Sequence, residues 1–168
     1  MATDIEKASA ELQELVAEVD TGRREPTGFA KQLIFGTALA WALFQLWYAS
    51  PLPFVLRFGV LNDTEARSIH LAFALFLAFM AWPAFKSSPR DRIPLFDVLF
   101  ALAGAFAGGY LLLFYAQLAT RPGQPTQMDI VVASAGVLLL LEATRRAVGW
   151  PMAALAVIFL AYCMLGAH

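Results

Sequence analysis

The chain is poor in the residues that most chemistry needs. Its one cysteine, Cys163, excludes an intrachain disulfide and leaves the redox compartment unmarked. No cysteine and histidine stand at metal-ligand spacing, no glycine-rich phosphate loop follows a strand, and no basic patch suggests nucleic acid. No serine–histidine–aspartate set or paired carboxylates offer a catalytic centre, so neither an enzyme nor a bound cofactor is expected. Charge is scarce too. Charged residues make up 15% of the chain and hydrophobic ones 60%, far from the about 25% and 45–50% of soluble domains. A secretory signal peptide is also missing: the start is acidic, with seven of 13 acids in the first 25 residues, and no apolar core begins before Leu33. The mature chain is therefore expected to keep its N-terminus.

What the chain has instead is apolar length. Five stretches carry no Asp, Glu, Lys or Arg: residues 32–56, 68–85, 98–120, 130–141 and 147–168. Crossing a bilayer core of about 30 Å takes roughly 20 mostly apolar residues in a helix. Four stretches have that length or nearly so; the fourth has 12 residues between Asp129 and Glu142. The pattern predicts an all-α polytopic membrane protein with about five transmembrane helices. With the N-terminus in the cytoplasm, nine of the 12 basic residues fall on the inner side and only Arg57, Arg67 and Arg121 on the outer. This is the bias of cytoplasmic loops, and five spans would put His168 outside. Trp47, Tyr48, Trp82 and Trp150 fall near span ends, where indole and phenol rings favour the interface.

Residues 3–19 read as a cytoplasmic amphipathic helix, with Ile5, Ala8, Leu12, Leu15 and Val19 at helical spacing and acids opposite. Being acidic, it is expected to pack on protein or stay solvated, not to bind lipid by charge. Residues 20–28, with two glycines and a proline, form a linker. After the first span, Pro51 and Pro53 set off residues 54–60, a candidate interfacial helix. Asn62, Asp63 and Thr64, with Glu65 behind them, are a capping cluster for the second span. The fourth span works if Asp129 caps its outer end and Glu142 lies at or just inside the inner interface. Gly149-Trp150-Pro151 breaks the chain before the fifth.

Ionisable groups in a membrane segment are costly and face protein or water. Glu142 can pair with Arg145 and Arg146 on one helix face, and Asp97, near the same end, can join them. This set is either a coupling-ion or anion site or a salt bridge that ends the helix and marks the cytoplasmic side; the second reading is preferred. Gly104 and Gly108 form a small-residue row that lets helices approach closely, within one bundle in preference to a dimer. Two histidines on facing helices can ligate haem, but of His70 and His168 the second is the chain's last residue, so haem is the less favoured expectation.

Leu138-Leu-Leu-Leu-Glu142-Ala-Thr-Arg-Arg-Ala-Val-Gly-Trp150 resembles a segment of the fused membrane components of TAXI-type TRAP transporters. So do Asp20-Thr-Gly-Arg-Arg-Glu-Pro-Thr-Gly28 and His70-Leu-Ala-Phe-Ala-Leu-Phe-Leu-Ala-Phe. The resemblance implies a multi-pass protein of the bacterial inner membrane. In such systems a periplasmic binding protein delivers carboxylate-type solutes to a permease driven by an ion gradient. It further implies residues 1–30 as the cytoplasmic helix and linker, 31–146 as a four-span small-permease-like domain, and 147–168 as a connector toward a large transport domain or subunit. The broken-helix repeats expected of a transport site have no counterpart here, so no substrate or ion ligand carries over. The chain would be a fragment, a split-gene product or a separate small subunit. Alternatives are the small subunit of another tripartite carboxylate transporter, such as the tricarboxylate kind, or a membrane anchor or scaffold outside transport.

Overall fold

The computed structural model describes residues 23–24, 26–85, 88 and 92–166. The expected amphipathic helix, most of the linker, Lys86, Arg90 and His168 lie outside the described residues. Those described form helices and no strand. In chain order they are α1 (Gly28–Ala49), α2 (Leu52–Leu56), α3 (Asp63–Ala81), α4 (Leu95–Leu113), α5 (Tyr115–Ala119), α6 (Gln127–Ala147) and α7 (Trp150–Leu165). Four of them, α1, α3, α4 and α6, are long and apolar enough to cross a membrane. They run alternately up and down. The start of α1, the end of α3, the start of α4 and the end of α6 share one end of the bundle, here the network end.

Local chemistry places the helix ends. Asn62 caps α3 through a reciprocal pair: its side chain accepts from the Glu65 N–H, and its own N–H donates to the Glu65 carboxylate, both at 2.9 Å. The expected cluster therefore acts through Asn62 and Glu65. Thr126 and Asp129 repeat the device at α6. Here the threonine is the cap and Asp129 its third-position partner, not the cap residue as expected. α2 occupies part of the segment proposed as an interfacial helix. Pro51 and Pro53 interrupt the chain there, and Arg57 closes α2 in the left-handed region at φ 51°.

No helix coincides with its uncharged stretch, and the fourth and third depart from theirs for identifiable reasons. The fourth is not the 12 uncharged residues but a helix of 21. Its acidic and basic residues lie inside the helix, bonded at its two ends. The third does not continue to Thr120, because α4 stops at Leu113 and α5 follows as a separate short helix. The break adjoins a contact from α3. The Ser68 hydroxyl donates to the Gly108 carbonyl at 2.6 Å and accepts from the Leu112 N–H at 3.1 Å. It thus engages the two groups that an α-helical ladder pairs with each other, a recognised origin of helix distortion. α7 has 16 residues, about 24 Å at 1.5 Å per residue.

The core lies along α3, where Leu75, Phe79 and Met80 are almost wholly buried. α3 and α4 form the most extensive pair, with α1 and α6 flanking and α7 resting on α6. The closeness of α3 and α4 comes from the glycine row. A Cβ on Gly104 would lie 3.0 Å from the Leu75 Cβ, and one on Gly108 would lie 2.8 Å from the Ala72 backbone nitrogen. The row therefore serves packing within the bundle. Outward faces are apolar: Phe35, Leu39, Leu43 and Leu46 line the exposed side of α1, and Ile158, Tyr162 and Leu165 that of α7. Exposed apolar surface on this scale suits lipid or protein, not water.

Gly108→Ala should destabilise the bundle by about 1–3 kcal/mol, as overpacking does where only backbone can yield. Gly36→Ala, where nothing lies within 4 Å of the new Cβ, should stabilise α1 by roughly 0.5–1 kcal/mol. Unfolding of both variants in detergent micelles checks the pair, and an unchanged midpoint for Gly108→Ala contradicts the packing account.

Candidate functional site: an ion network at one end of the bundle

The network begins with the main chain. The Arg24 N–H donates to the Ala81 carbonyl at 2.8 Å, pinning the short segment just before α1, the stem, to the last turn of α3. From there the Arg24 guanidinium reaches Asp97 in the first turn of α4. A carboxylate suits that place, because free N–H groups and the helix dipole give the N-terminus a positive character. The opposite holds at the end of α6, where Arg145 and Arg146 occupy the last turn. Arg146 donates to the second Asp97 oxygen at 2.7 Å and to Glu142 at 2.8 Å. Arg145 grips Glu142 with two bonds of 2.7 Å and donates to the Ala84 carbonyl at 3.0 Å. The chain of contacts runs Arg24, Asp97, Arg146, Glu142, Arg145, and joins the stem, α3, α4 and α6.

Burial grades along it. Side-chain exposure is 0% for Arg24, 5% for Asp97 and 2% for Arg146, but 31% for Glu142 and 18% for Arg145. Aromatic rings close over the cations. The Arg146 guanidinium carbon lies 4.9 Å from the Phe79 ring centre and 5.6 Å from that of Phe100. Arg145 lies 5.4 Å from Trp150 and 5.9 Å from Phe85. These distances fit cation–π attraction, which strengthens as the pair loses water. Arg24 keeps Nε and Nη1 without a partner among the described residues.

What this arrangement can do follows from its donors. Arginine does not give up its proton in proteins, and both oxygens of each carboxylate already accept from guanidinium groups. That geometry favours holding over proton transfer or ion exchange. The spacing argument foresaw the bonds from Glu142 to Arg145 and Arg146, and the proximity of Asp97. It put Glu142 at or just inside the inner interface without fixing the depth of its partners; Asp97 and Arg146 are buried, and Glu142 and Arg145 are partly exposed. It missed Arg24, counted only as a basic residue of the linker. No local pattern marks Arg24, since its partner is 73 positions away.

The other end of the bundle has a smaller tie. The Tyr110 hydroxyl of α4 donates to Asp129 of α6 at 2.6 Å, and Arg121 of the intervening turn pairs with the same carboxylate at 2.7 Å. Gln45 of α1 and His70 of α3 meet at 2.7 Å, with Trp41 edge-on to the imidazole at 4.9 Å. Among the described residues, no three of His, Cys, Asp and Glu gather as a metal site.

Asp97→Asn should cost about 3–5 kcal/mol, because it leaves Arg24 buried without a carboxylate. Glu142→Gln should cost less, on the order of 1–3 kcal/mol, since Arg146 keeps Asp97 and Arg145 keeps the Ala84 carbonyl. Denaturant midpoints of the two variants decide the order; a greater loss for Glu142→Gln would invert the assigned roles.

The chain matches no family model, no curated protein and no solved structure in comparisons with known proteins, so any functional reading rests on its own residues and their geometry.

Proposed function

We propose that the chain is the scaffold part of a TAXI-type TRAP transporter of the bacterial inner membrane, the small-permease-like bundle against which a large transport domain or subunit works. The observation that carries this reading is the network just described. The Glu142-Ala-Thr-Arg-Arg run that bears the resemblance is the segment that locks α6 to α4 and, through Asp97 and Arg24, to the stem and α3. A transporter that moves one bundle against another needs a part that does not deform. Four helices fastened at both ends, with a glycine seam between two of them, suit that part.

The polar groups agree with a supporting role. The charged side chains with assigned ion pairs lie toward helix ends, and the carboxylates of the buried network are occupied by arginine. Substrate and coupling ion would be bound by the partner, with a periplasmic protein delivering a carboxylate-type solute. In this reading the network end faces the cytoplasm, as the basic residues favour. α7 then leads outward as the connector, and its exposed apolar surface, including Ile158, Phe159 and Tyr162, meets lipid or the transport domain.

Reconstituted in liposomes with an ion gradient and a binding protein, the chain alone should accumulate no solute, while adding the large partner should restore uptake. Uptake by the chain alone would exclude the scaffold role. Orientation is read separately in intact cells carrying Cys163→Ala. A cysteine in place of Gln124, in the turn before α6, should react with an impermeant maleimide, and one in place of Val148 should not. The reverse pattern would overturn the orientation.

A further inference from the structure

At the network end, the stem and α1 line a cleft of about 690 Å³ with Arg23, Arg24, Thr27, Lys31, Ile34 and Phe35 among its walls. A second cleft of about 400 Å³ lies between α1, α3 and α6, walled by Trp41, Leu77, Ala78, Leu140 and Ala143. The two share Arg23, Ile34 and Ala38, so cationic walls give way to an apolar lane running along the helices. Polarity at one end and hydrocarbon along the rest is the outline of an amphiphile.

Charge specifies the head of that amphiphile. Arg23 and Lys31 are exposed, and neither is ion-paired among the described residues. Beside them Arg24 has a side chain with 0% exposure, and its Nε and Nη1 lack partners. Among the described residues at this end, Arg23, Arg24, Lys31, Arg145 and Arg146 outnumber the carboxylates that the arginines meet, Asp97 and Glu142. The start of α1 adds to the same field: Thr27 makes no side-chain cap and the first turn holds no acid, leaving N–H groups that favour an anion.

We propose that this double cleft binds one anionic phospholipid, its phosphate between Arg23 and Lys31 and one acyl chain in the lane past Ile34, Ala38 and Trp41. The lipid would fill the gap between α1 and the α3–α6 pair and meet the cations that line it. Anionic lipids are abundant in the cytoplasmic leaflet, the side to which this end is assigned. The proposal needs the bundle to sit in a membrane but not to take part in transport, so the two readings fail independently.

The test is native mass spectrometry of the purified chain with phosphatidylglycerol, phosphatidylcholine or inorganic phosphate. A single phosphatidylglycerol should be retained in preference to phosphatidylcholine, and inorganic phosphate should not displace it. The double variant Arg23→Gln/Lys31→Gln should bind phosphatidylglycerol roughly 30-fold more weakly, the effect of two surface cations on an anionic lipid. Ala38→Phe, which fills the lane, should lose the lipid while keeping its helicity and melting temperature. Equal retention of the two lipids by the unaltered chain would overturn the proposal without recourse to any variant. Displacement by phosphate would reassign the cleft to a free anion, and undiminished binding by either variant would show that the lipid sits elsewhere.

Discussion

Asp97 is the group on which the arrangement of this bundle depends. A carboxylate almost wholly removed from solvent is costly to bury unless cations and donors meet its oxygens. It has Arg24 on one oxygen and Arg146 on the other. Those two arginines come from opposite ends of the chain and are as deeply buried as the acid. Asp97 is the carboxylate that Arg24 meets, while Arg146 bridges Asp97 and Glu142, so the stem, the start of α4 and the end of α6 are held in a single relative placement. Buried ion pairs commonly add little net stability, because desolvation offsets most of the attraction. Their effect here is to penalise any other register, in which one of three buried charges would lose its partner.

Stability itself comes from elsewhere. Between helices in lipid the hydrophobic effect gives little net attraction, so close packing and hydrogen bonds decide association. The α3–α4 seam supplies both. Gly104 and Gly108 bring α4 against Leu75 and the Ala72 backbone, and at that distance the Ser68 hydroxyl reaches the α4 main chain. The seam lies beside the network: Phe79, whose ring stacks against Phe100 at 5.6 Å, also covers Arg146. Packing on α3 and charge on α4 and α6 thus meet at one aromatic side chain.

Much of this was legible in the sequence, and the boundary of legibility is physical. Helix-forming apolar runs announce themselves through length and hydropathy, and contacts three or four residues apart follow from helix geometry. The bonds of Asn62 with Glu65, and of Glu142 with Arg145 and Arg146, are of that kind. The Gly104–Gly108 row signals a close approach, though nothing in it names α3 as the partner. What the sequence hides are bonds across the fold. Arg24 and Asp97 stand 73 positions apart, Asp97 and Arg146 stand 49 apart, and Tyr110 finds Asp129 across a turn. The end of α4 at Leu113 was hidden for the same reason. No proline or glycine marks it, and the serine that contacts the α4 ladder there belongs to another helix. Counting charges likewise made the fourth span too short, because it treated charges as helix limits when they are the bonds that fasten a longer helix.

The central claim is that Arg24 and Asp97 form one buried pair that sets the bundle's register, and a double-mutant cycle measures it. Unfolding free energies in detergent are needed for the unaltered chain, Arg24→Gln, Asp97→Asn and the double variant. Directly interacting groups couple by about 0.5–3 kcal/mol, and a pair this deeply buried should lie in the upper half of that range, with the double variant more stable than the sum of the single losses predicts. Additive losses, with coupling indistinguishable from zero, would show that the two residues act independently and that the network does not hold the bundle together.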